Sequence, residues 1–461
     1  QMDPAHPAVT VRSGRRTRKI SDMNRMIGRI AAILATGLPL SAAAKQVDRW
    51  PLSPQSRIWT VTHLGDDGPG SLRWAIDAAA KGREPDMIRF AAGLQGHIAL
   101  EAPLRPLDAI AILGPGADRI TIDASRAGRA FAIDGVAPVL IDALRIVGAT
   151  DSAIAAQRSD LRVERCLIEQ NFGFRGGAIR MRDGVLRVAD SELARNIVDA
   201  EFDPGDGVGG AISLEHSDAE VLRSRIGANQ ASRLGGGIHA AMAAGQSLLI
   251  RDSLIDANIA PTQGGGLYLL DGSTRIVNST VSGNRSERNA TFWFNAAVDV
   301  SNSTLAHNRS VQVQTPGQCP GLCASSRARL RLVSSIVSDN RDVHDNPMDL
   351  VSAGADSVVL DHALVKFREP GLAFTDLGGN RLGVDPLLLP LAPAADAAWP
   401  SHPLAAGSPA IDAGSNPWLL QADQRGGCHR RQHGAGVDIG AVEIQPPAAH
   451  CPSDKRGRMR D

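Results

Sequence analysis

The sequence has few aromatic residues and no excess of either charge. Phe, Trp and Tyr make up 3% of the 461 residues, and there is a single tyrosine. So few large apolar side chains disfavour an ordinary globular core and suit thin, stacked turns. The Lys+Arg and Asp+Glu counts are equal, 49 each, so no net field attracts nucleic acid or an anionic membrane. We therefore expect no nucleic-acid partner.

Cysteine is also scarce, with five residues and no spacing that resembles a zinc site. Cys319 and Cys323 flank a Pro-Gly turn and are candidates for a disulfide that closes a small loop. Cys428 and Cys451 lie near the C-terminal end and are candidates for a disulfide that pins the tail. Cys166 is left over and is predicted to be a buried, inert thiol. Spacing alone does not determine the pairing.

The N-terminal segment has the three parts of a secretory signal. Basic residues between 12 and 29 precede an apolar run at 30–40, and a small-residue site, Ala42-Ala43-Ala44, follows. The apolar run is shorter than the roughly 20 residues that cross a membrane. We therefore expect residues 1–44 to be a leader and signal peptide. The mature chain is expected to be secreted or on the cell surface, monomeric and without a transmembrane span, in a compartment that permits disulfides.

Glycine is abundant, at 47 residues, and much of it accompanies an internal repeat. The repeat reads aliphatic-x-x-Ser-x-aliphatic-x-x-Asn, with Cys166 at the Ser position of the first copy. Its seven copies end 25, 33, 29, 26, 24 and 32 residues apart, a period that is typical of a solenoid. The asparagines are Asn171, Asn196, Asn229, Asn258, Asn284, Asn308 and Asn340.

The repeat predicts an all-β, right-handed parallel β-helix. Its segments are short, β-branched and alternating, with no 3.6-residue period. Glycine pairs such as Gly176-Gly177 and Gly209-Gly210 permit the positive φ of a tight corner, and asparagine tolerates the same conformation. The right hand is expected because parallel crossovers overwhelmingly adopt it. We interpret the Asn and Ser rows as structural ladders rather than as an active site.

Both ends of such a coil need covering. Ser71 is a predicted cap for a helix from Leu72 to about Ala80, whose apolar face would cover the first turn. The last segment loses the repeat and becomes rich in Pro and Ala, which is consistent with a second cap. The predicted organisation is a leader (1–44), a linker (45–56), an N-terminal helical cap (57–97), the β-helix (98–366), an irregular C-terminal cap (367–445) and a tail (446–461).

The two end segments resemble a known group of surface proteins. Trp59–Ile76 is similar to the opening of β-helix proteins that carry a Cys-Ser-Leu-Arg-Glu-Ala motif, with Gly70 in place of Cys and Trp74 in place of Glu. Three later motifs resemble the end of the choice-of-anchor Q domain family. That resemblance implies a secreted or surface-displayed β-helix, usually without assigned chemistry. The three motifs are Ser408–Gly414, Asp423–Gly426 and Asp438–Glu443.

Parallel β-helices often act on acidic polysaccharides, so a lyase or hydrolase is the alternative to a binding scaffold. Its catalytic candidates are Asp199, Glu201, Asp203 and Asp206, an acidic insertion in the longest repeat step. These carboxylates could surround Ca²⁺ or serve as acid and nucleophile. A solvated acidic loop is the preferred interpretation. No other cofactor or metal is expected.

A second candidate is the aromatic cluster Phe292-Trp293-Phe294, which could bind a sugar or a protein partner. Alternation places Phe292 and Phe294 on one face and Trp293 on the other, so a core layer with one exposed Trp is an equal alternative.

A third group of charges lies in the predicted C-terminal cap. It suits either a buried Asp–Arg lock, which we prefer, or a metal site. We expect an interaction scaffold whose partner is an extracellular glycan or a cell-surface protein. The group comprises Asp412, Asp423, Arg425, Asp438 and Glu443.

Overall fold

The computed structural model describes residues 55–82, 84–136, 138–200, 205–288, 290–311, 321–394 and 397–445. Within these ranges it contains one α-helix and 38 β-strands, numbered here in chain order, and the strands form three sheets. The predicted leader and tail, most of the linker, Glu201, Asp203, Cys319 and Cys451 lie outside the described residues. No helix among the described residues is both long and apolar enough to cross a membrane.

Sheet A has 20 strands, which lie in two rows named A1 and A2. The two rows count as one sheet because β25 and β28 are long enough to belong to both. Row A1 consists of β6 (Phe131–Asp134), β9 (Ile154–Gln157), β13 (Ile179–Arg182), β17 (Ile212–Glu215), β21 (Ile238–Ala241), the starts of β25 (Leu267–Val277) and β28 (Phe292–Ser301), β31 (Leu322–Ala324) and β34 (Leu350–Ser352). Row A2 consists of β1 (Ile58–Val61), β2 (Asp86–Phe90), β4 (Ile110–Leu113), β7 (Val139–Asp142), β10 (Asp160–Glu164), β14 (Val185–Ala189), β18 (Asp218–Leu222), β22 (Ser247–Arg251), the ends of β25 and β28, β32 (Arg329–Val333), β35 (Ser357–Asp361) and β37 (Thr375–Asp376).

Sheets B and C complete each turn of the chain. Sheet B consists of β3 (Gly96–Ala99), β5 (Ile120–Asp123), β8 (Arg145–Val147), β11 (Leu167–Glu169), β15 (Glu192–Ala194), β19 (Arg225–Gly227), β23 (Leu254–Asp256), β26 (Thr280–Ser282), β29 (Thr304–Ala306), β33 (Ile336–Ser338), β36 (Leu364–Val365) and β38 (Arg381–Leu382). Sheet C consists of β12 (Phe172–Gly173), β16 (Ile197–Val198), β20 (Gln230–Ala231), β24 (Ile259–Ala260), β27 (Arg285–Ser286) and β30 (Arg309–Ser310).

The fold is a parallel β-helix of about 11 turns, as the repeat predicts. A full turn passes through rows A1 and A2, then sheets B and C, and the next turn pairs with it in parallel. The first aliphatic position of every repeat falls in one register column inside the coil, and every member is buried. That column contains Val163, Val188, Val221, Ile250, Ile276, Val300 and Leu332.

The repeat asparagines form a continuous hydrogen-bonded ladder inside the coil. The Asn171 Nδ2 donates to the Asn196 Oδ1 at 3.0 Å, and each following asparagine repeats this bond at 2.9–3.0 Å up to Asn340. The repeat serines form a second row, in which the backbone N–H of one serine donates to the hydroxyl of the next. Both rows therefore satisfy backbone groups that the corners would otherwise leave buried and unpaired.

The left-handed corners are not made by the asparagines themselves. The residue before each asparagine has positive φ, as at Gln170, Arg195 and Ala228. The expectation that asparagine adopts this conformation is therefore wrong at these corners. The asparagine amide is instead turned inward, where it bonds to neighbouring turns. The predicted glycine corners do have positive φ, including Gly176 and Gly209.

The N-terminal helix, α1, spans Leu72–Ala79, and the Ser71 hydroxyl accepts a hydrogen bond from the Trp74 N–H at 3.1 Å. This confirms the predicted cap residue and helix. Its buried face, which includes Leu72 and Ile76, packs into the same apolar core as strand β2.

The C-terminal segment does more than cover the last turn. Residues 367–385 add short strands to the coil's end. Residues 386–394 and 397–445 run back along the outer face of sheet B. Ala441 donates its N–H to the Thr304 hydroxyl at 3.0 Å, and the Trp399 indole donates to the Arg223 carbonyl at 3.0 Å. The expected end cap is thus largely a lateral cover, because this part of sheet B has outward apolar residues, such as Ile336, that Leu404 and Ile439 bury.

Candidate functional site

The two longest repeat steps place their extra residues on the same edge of the coil. The 33-residue step contains an insertion at 199–211, between β16 and β17, and the 32-residue step contains one at 311–321, between β30 and β31. Both insertions therefore connect sheet C to row A1. In solenoids, insertions on one face often form the binding face.

The outer face of row A1 between these insertions carries stacked rings. Ser213, His239, Tyr268 and Trp293 are register partners on four successive strands. The His239 and Tyr268 ring centroids lie 5.4 Å apart with planes 6° from parallel. The Tyr268 and Trp293 centroids lie 4.5 Å apart with planes 11° from parallel.

The cluster Phe292-Trp293-Phe294 does not form one aromatic platform. Phe292 and Phe294 are 2% and 0% exposed and belong to the apolar core, whereas Trp293 is half-buried on the outer face. The binding role predicted for the two phenylalanines is therefore wrong. Successive side chains of a strand alternate between its two faces, and both phenylalanines point into the coil. One Trp293 face is covered by Tyr268, and Cys323 packs beside the ring on the next strand, so the indole edge is what a ligand would meet.

In the described part of the acidic insertion, Asp206 is paired with an arginine. Arg175 donates from Nε to the Asp206 Oδ1 at 2.7 Å and from a terminal nitrogen to the Glu215 carboxylate. The Asp199 carboxylate accepts a hydrogen bond from the Ala200 N–H. Among the described residues no three His, Cys, Asp or Glu side chains are arranged to hold a metal ion.

Glu215 connects this ion pair to the stacked rings. It lies two residues after Ser213 on β17, on the same outward side of the strand, and its charge acts on His239. These residues therefore form one connected patch, called here the insertion face. Its partly exposed members are Arg175, Asp206, Glu215 and Trp293, and its buried members are Ser213, His239 and Tyr268.

His239 is neutral at neutral pH, because burial lowers its pKa to about 4. Its Nδ1 and the Ser213 hydroxyl are both buried, and neither has a hydrogen-bond partner among the residues that the structure describes. The two side chains are thus polar groups enclosed between Arg175 and Tyr268, and they have unused hydrogen-bonding capacity.

The charged cluster near the C-terminal end is a backbone lock. Asp423 accepts hydrogen bonds from the Arg425 side chain and from the Glu443 N–H, and Glu443 in turn accepts from the Asp438 N–H at 2.9 Å. Asp438 accepts from the Asp412 N–H at 2.8 Å. The carboxylates are used to hold chain segments together, as in the preferred interpretation.

The described cysteines fall into two classes. Cys323 and Cys428 are disulfide-bonded, while their predicted partners lie outside the described residues. Cys166 is a free, buried thiol, and burial raises its pKa to about 12, so it is not a nucleophile at neutral pH.

Sequence reasoning missed Arg175, Ser213, Glu215, His239 and Tyr268. A signal for three of them exists in the repeat itself. Ser213, His239 and Tyr268 each follow the aliphatic residue that comes after a glycine cluster, so aligning the repeats places them in one outward column.

No protein-family model and no curated protein matches this chain. Among solved structures, the chain is similar to the crystal structure of pectate lyase Pel9A. The TM-score is 0.47 at 15% sequence identity, over 85% of this chain and 97% of that chain. The resemblance to the choice-of-anchor Q family therefore stays a prediction.

Proposed function

We propose that the protein is a secreted or surface-displayed β-helix scaffold that binds an extracellular glycan or a cell-surface protein through the insertion face. The observation that carries this proposal is the His239–Tyr268–Trp293 stack, which lies on the strands between β17 and β31, the two strands that follow the longest insertions in the chain. A rigid outer face between two loops has the form of a binding site on a scaffold.

The local charges favour binding over catalysis. Arg175 pairs with both Asp206 and Glu215, so these carboxylates are held as acceptors in an ion-pair network. A ligand would meet the indole edge of Trp293 and the polar groups of this network. Such a surface suits a partner rich in hydroxyl or amide groups.

Binding is tested on purified protein, residues 45–461, with immobilised acidic and neutral polysaccharides and with cell surfaces. Trp293→Ala is expected to weaken binding roughly tenfold, because a partly buried aromatic contact is worth about 1–2 kcal/mol. Trp418→Ala is the matched control, since Trp418 is an exposed tryptophan that stacks on Arg275, away from the insertion face. Equal binding by the wild type and Trp293→Ala on every surface would refute the proposal.

Glycan cleavage is the second candidate, because the insertion face combines two carboxylates with a neutral imidazole that can accept a proton. It is tested by following new reducing or unsaturated ends with and without Ca²⁺. Cleavage that is lost in Asp206→Asn or Glu215→Gln would establish an enzyme here. Cleavage that survives both changes, together with replacement of Asp199, Glu201 and Asp203, would place the chemistry elsewhere.

A further inference from the structure

The C-terminal segment begins with a hairpin that lies across the outer face of sheet B. Residues 386–394 and 397–405, called here the hairpin, pair through bridges between Leu388 and Leu404 and between Ala392 and Ser401. Its base is anchored on both sides. Ser408 donates its hydroxyl to the Pro386 carbonyl at 2.6 Å, and Lys366 pairs with Asp385 at 2.7 Å.

Beyond the base, Trp399 and His402 form hydrogen bonds between the described part of the hairpin and the coil. The Trp399 indole donates to the Arg223 carbonyl, and His402 contacts the Ser282 hydroxyl. Leu404, nearer the base, packs on Ile336 and Leu364. The hairpin is therefore anchored at its base, and Trp399 and His402 connect the rest of it to the coil through hydrogen bonds.

His402 is the central contact between the hairpin and sheet B, and it is 3% exposed. Its Nδ1 lies 2.8 Å from the Leu389 carbonyl, which can only accept, so Nδ1 carries the proton. Its Nε2 lies 2.8 Å from the Ser282 hydroxyl and accepts from it. Both ring nitrogens are thus engaged in the neutral form. A second proton would reverse the bond to Ser282, which would then accept from Nε2, and would place a positive charge in a buried site.

The surroundings of His402 oppose a positive charge. His307 lies beside it with ring centroids 5.0 Å apart, so two imidazolium groups would repel each other. Asp339, a carboxylate whose charge acts on His402, is already paired with Lys366 at 2.7 Å. Lys366 also holds Asp385, and Asp256, the register neighbour of Ser282, is paired with Arg225. Arg341, whose charge acts on His307, adds a further positive group.

We propose that the hairpin is an acid-released cover, in which a positive charge on the buried His402 ring, beside His307, undocks the hairpin and exposes the middle of the sheet B outer face. Release of the hairpin would extend the solvent-exposed part of this face. The exposed part already includes the outward-pointing residues His97, Arg145 and Glu192. The proposal does not depend on the function of the insertion face.

The direction of the pKa shifts of His402 and His307 agrees with release of the hairpin by acid. Burial lowers the pKa of His402 to about 4, and it also lowers the pKa of His307. A detached His402 has an ordinary pKa of about 6.5, so each pH unit below that value weakens docking by up to about tenfold until pH 4. Burial raises the pKa of Asp438 and Glu443, so protonation of these two carboxylates does not loosen the C-terminal lock.

The experiment measures amide hydrogen exchange of the full chain between pH 7 and pH 4.5, corrected for the intrinsic exchange rate. We expect protection of the hairpin amides, including Leu389 and Ala405, to fall roughly fortyfold between pH 6.5 and pH 4.5. These two amides bond to Pro403 and Leu387 within the hairpin, and an isolated two-stranded hairpin is only marginally stable in water. Peptides from sheet B strands and from residues 408–444 keep their protection. His344→Gln, at an exposed histidine, is the matched control and behaves like the wild type.

Two variants make the result decisive. His402→Gln is expected to make hairpin protection independent of pH. Ser282→Ala keeps His402 but weakens docking, so its release is expected at a higher pH than in the wild type. Unchanged hairpin protection at pH 4.5 would overturn the proposal. So would loss that coincides with exchange of the whole coil, or a release curve that Ser282→Ala does not shift.

Discussion

Asp349 ends the asparagine ladder, and its residue type follows from the direction of the hydrogen bonds. Every asparagine donates toward the C-terminal end of the coil, so the last one needs an acceptor. The Asp349 Oδ1 accepts from the Asn340 N–H and Nδ2, and its Oδ2 accepts from the Phe367 N–H at 2.9 Å. Three donors converge on two oxygens, which only a carboxylate supplies.

Asp349→Asn is therefore expected to destabilise the protein even though it continues the ladder's own residue type. One amide nitrogen would face a buried N–H donor, which costs about 1–3 kcal/mol in the free energy of unfolding. Chemical denaturation measures this difference. Asp356→Asn, at an exposed turn, is the control and should be neutral. Equal stability of Asp349→Asn and the control would show that the ladder does not need a carboxylate end.

Among the irregular elements, the C-terminal lock should become weaker as pH rises. Burial raises the pKa of Glu443 to about 7, above its ordinary value of 4.5. The folded and unfolded forms are both protonated below pH 4.5. Between pH 4.5 and 7 the unfolded chain ionises first, so the stabilisation is lost as pH increases through the folded pKa.

We expect the opening free energy of the Asp438 amide, which donates to Glu443, to fall by about 2–3 kcal/mol from pH 5 to pH 8. Hydrogen exchange measures it, and Glu443→Gln should remove most of the dependence. Glu287→Gln, at an exposed residue, should retain it. A dependence of opposite sign, or one that persists in Glu443→Gln, would assign the effect to another group.

The strands could be predicted from the sequence because each turn repeats the same local pattern. The repeat also identified the Asn and Ser positions, since the pattern contains them directly. The path of the C-terminal segment could not be predicted. His402 meets Ser282 across 120 residues and Trp399 meets Arg223 across 176, and no periodicity marks either partner.

The insertion face was predicted only in part, for a related reason. Asp206 and Trp293 were recognisable as an unusual acidic loop and a rare aromatic residue. Asp206 and Trp293 belong to one patch because Arg175 and Glu215 connect them across neighbouring turns. Such contacts follow from the register of the coil, and a charge pattern read along one segment does not reveal them.

At the scale of the whole molecule, the ladder should behave as a chain of nearest-neighbour interactions. Asn258 donates to Asn284, so Asn258→Ala and Asn284→Ala remove the same bond. Their combined effect on the free energy of unfolding should differ from the sum by about 0.5–3 kcal/mol. Asn171→Ala and Asn284→Ala, four turns or roughly 19 Å apart, should add to within about 0.5 kcal/mol. Strong coupling of the distant pair would contradict nearest-neighbour behaviour.

The one-way direction of the ladder also bears on how such a chain can lengthen during evolution. A duplicated interior turn brings one asparagine that accepts from the turn before it and donates to the turn after it, so no hydrogen bond is left unmet. A turn added beyond Asp349 would instead follow a carboxylate side chain, which has no N–H to donate to the next asparagine. The C-terminal segment touches the coil as far back as Arg223, so a copy inserted there would shift its contacts. Gene duplication should therefore be tolerated best among the turns between Asn171 and Arg223.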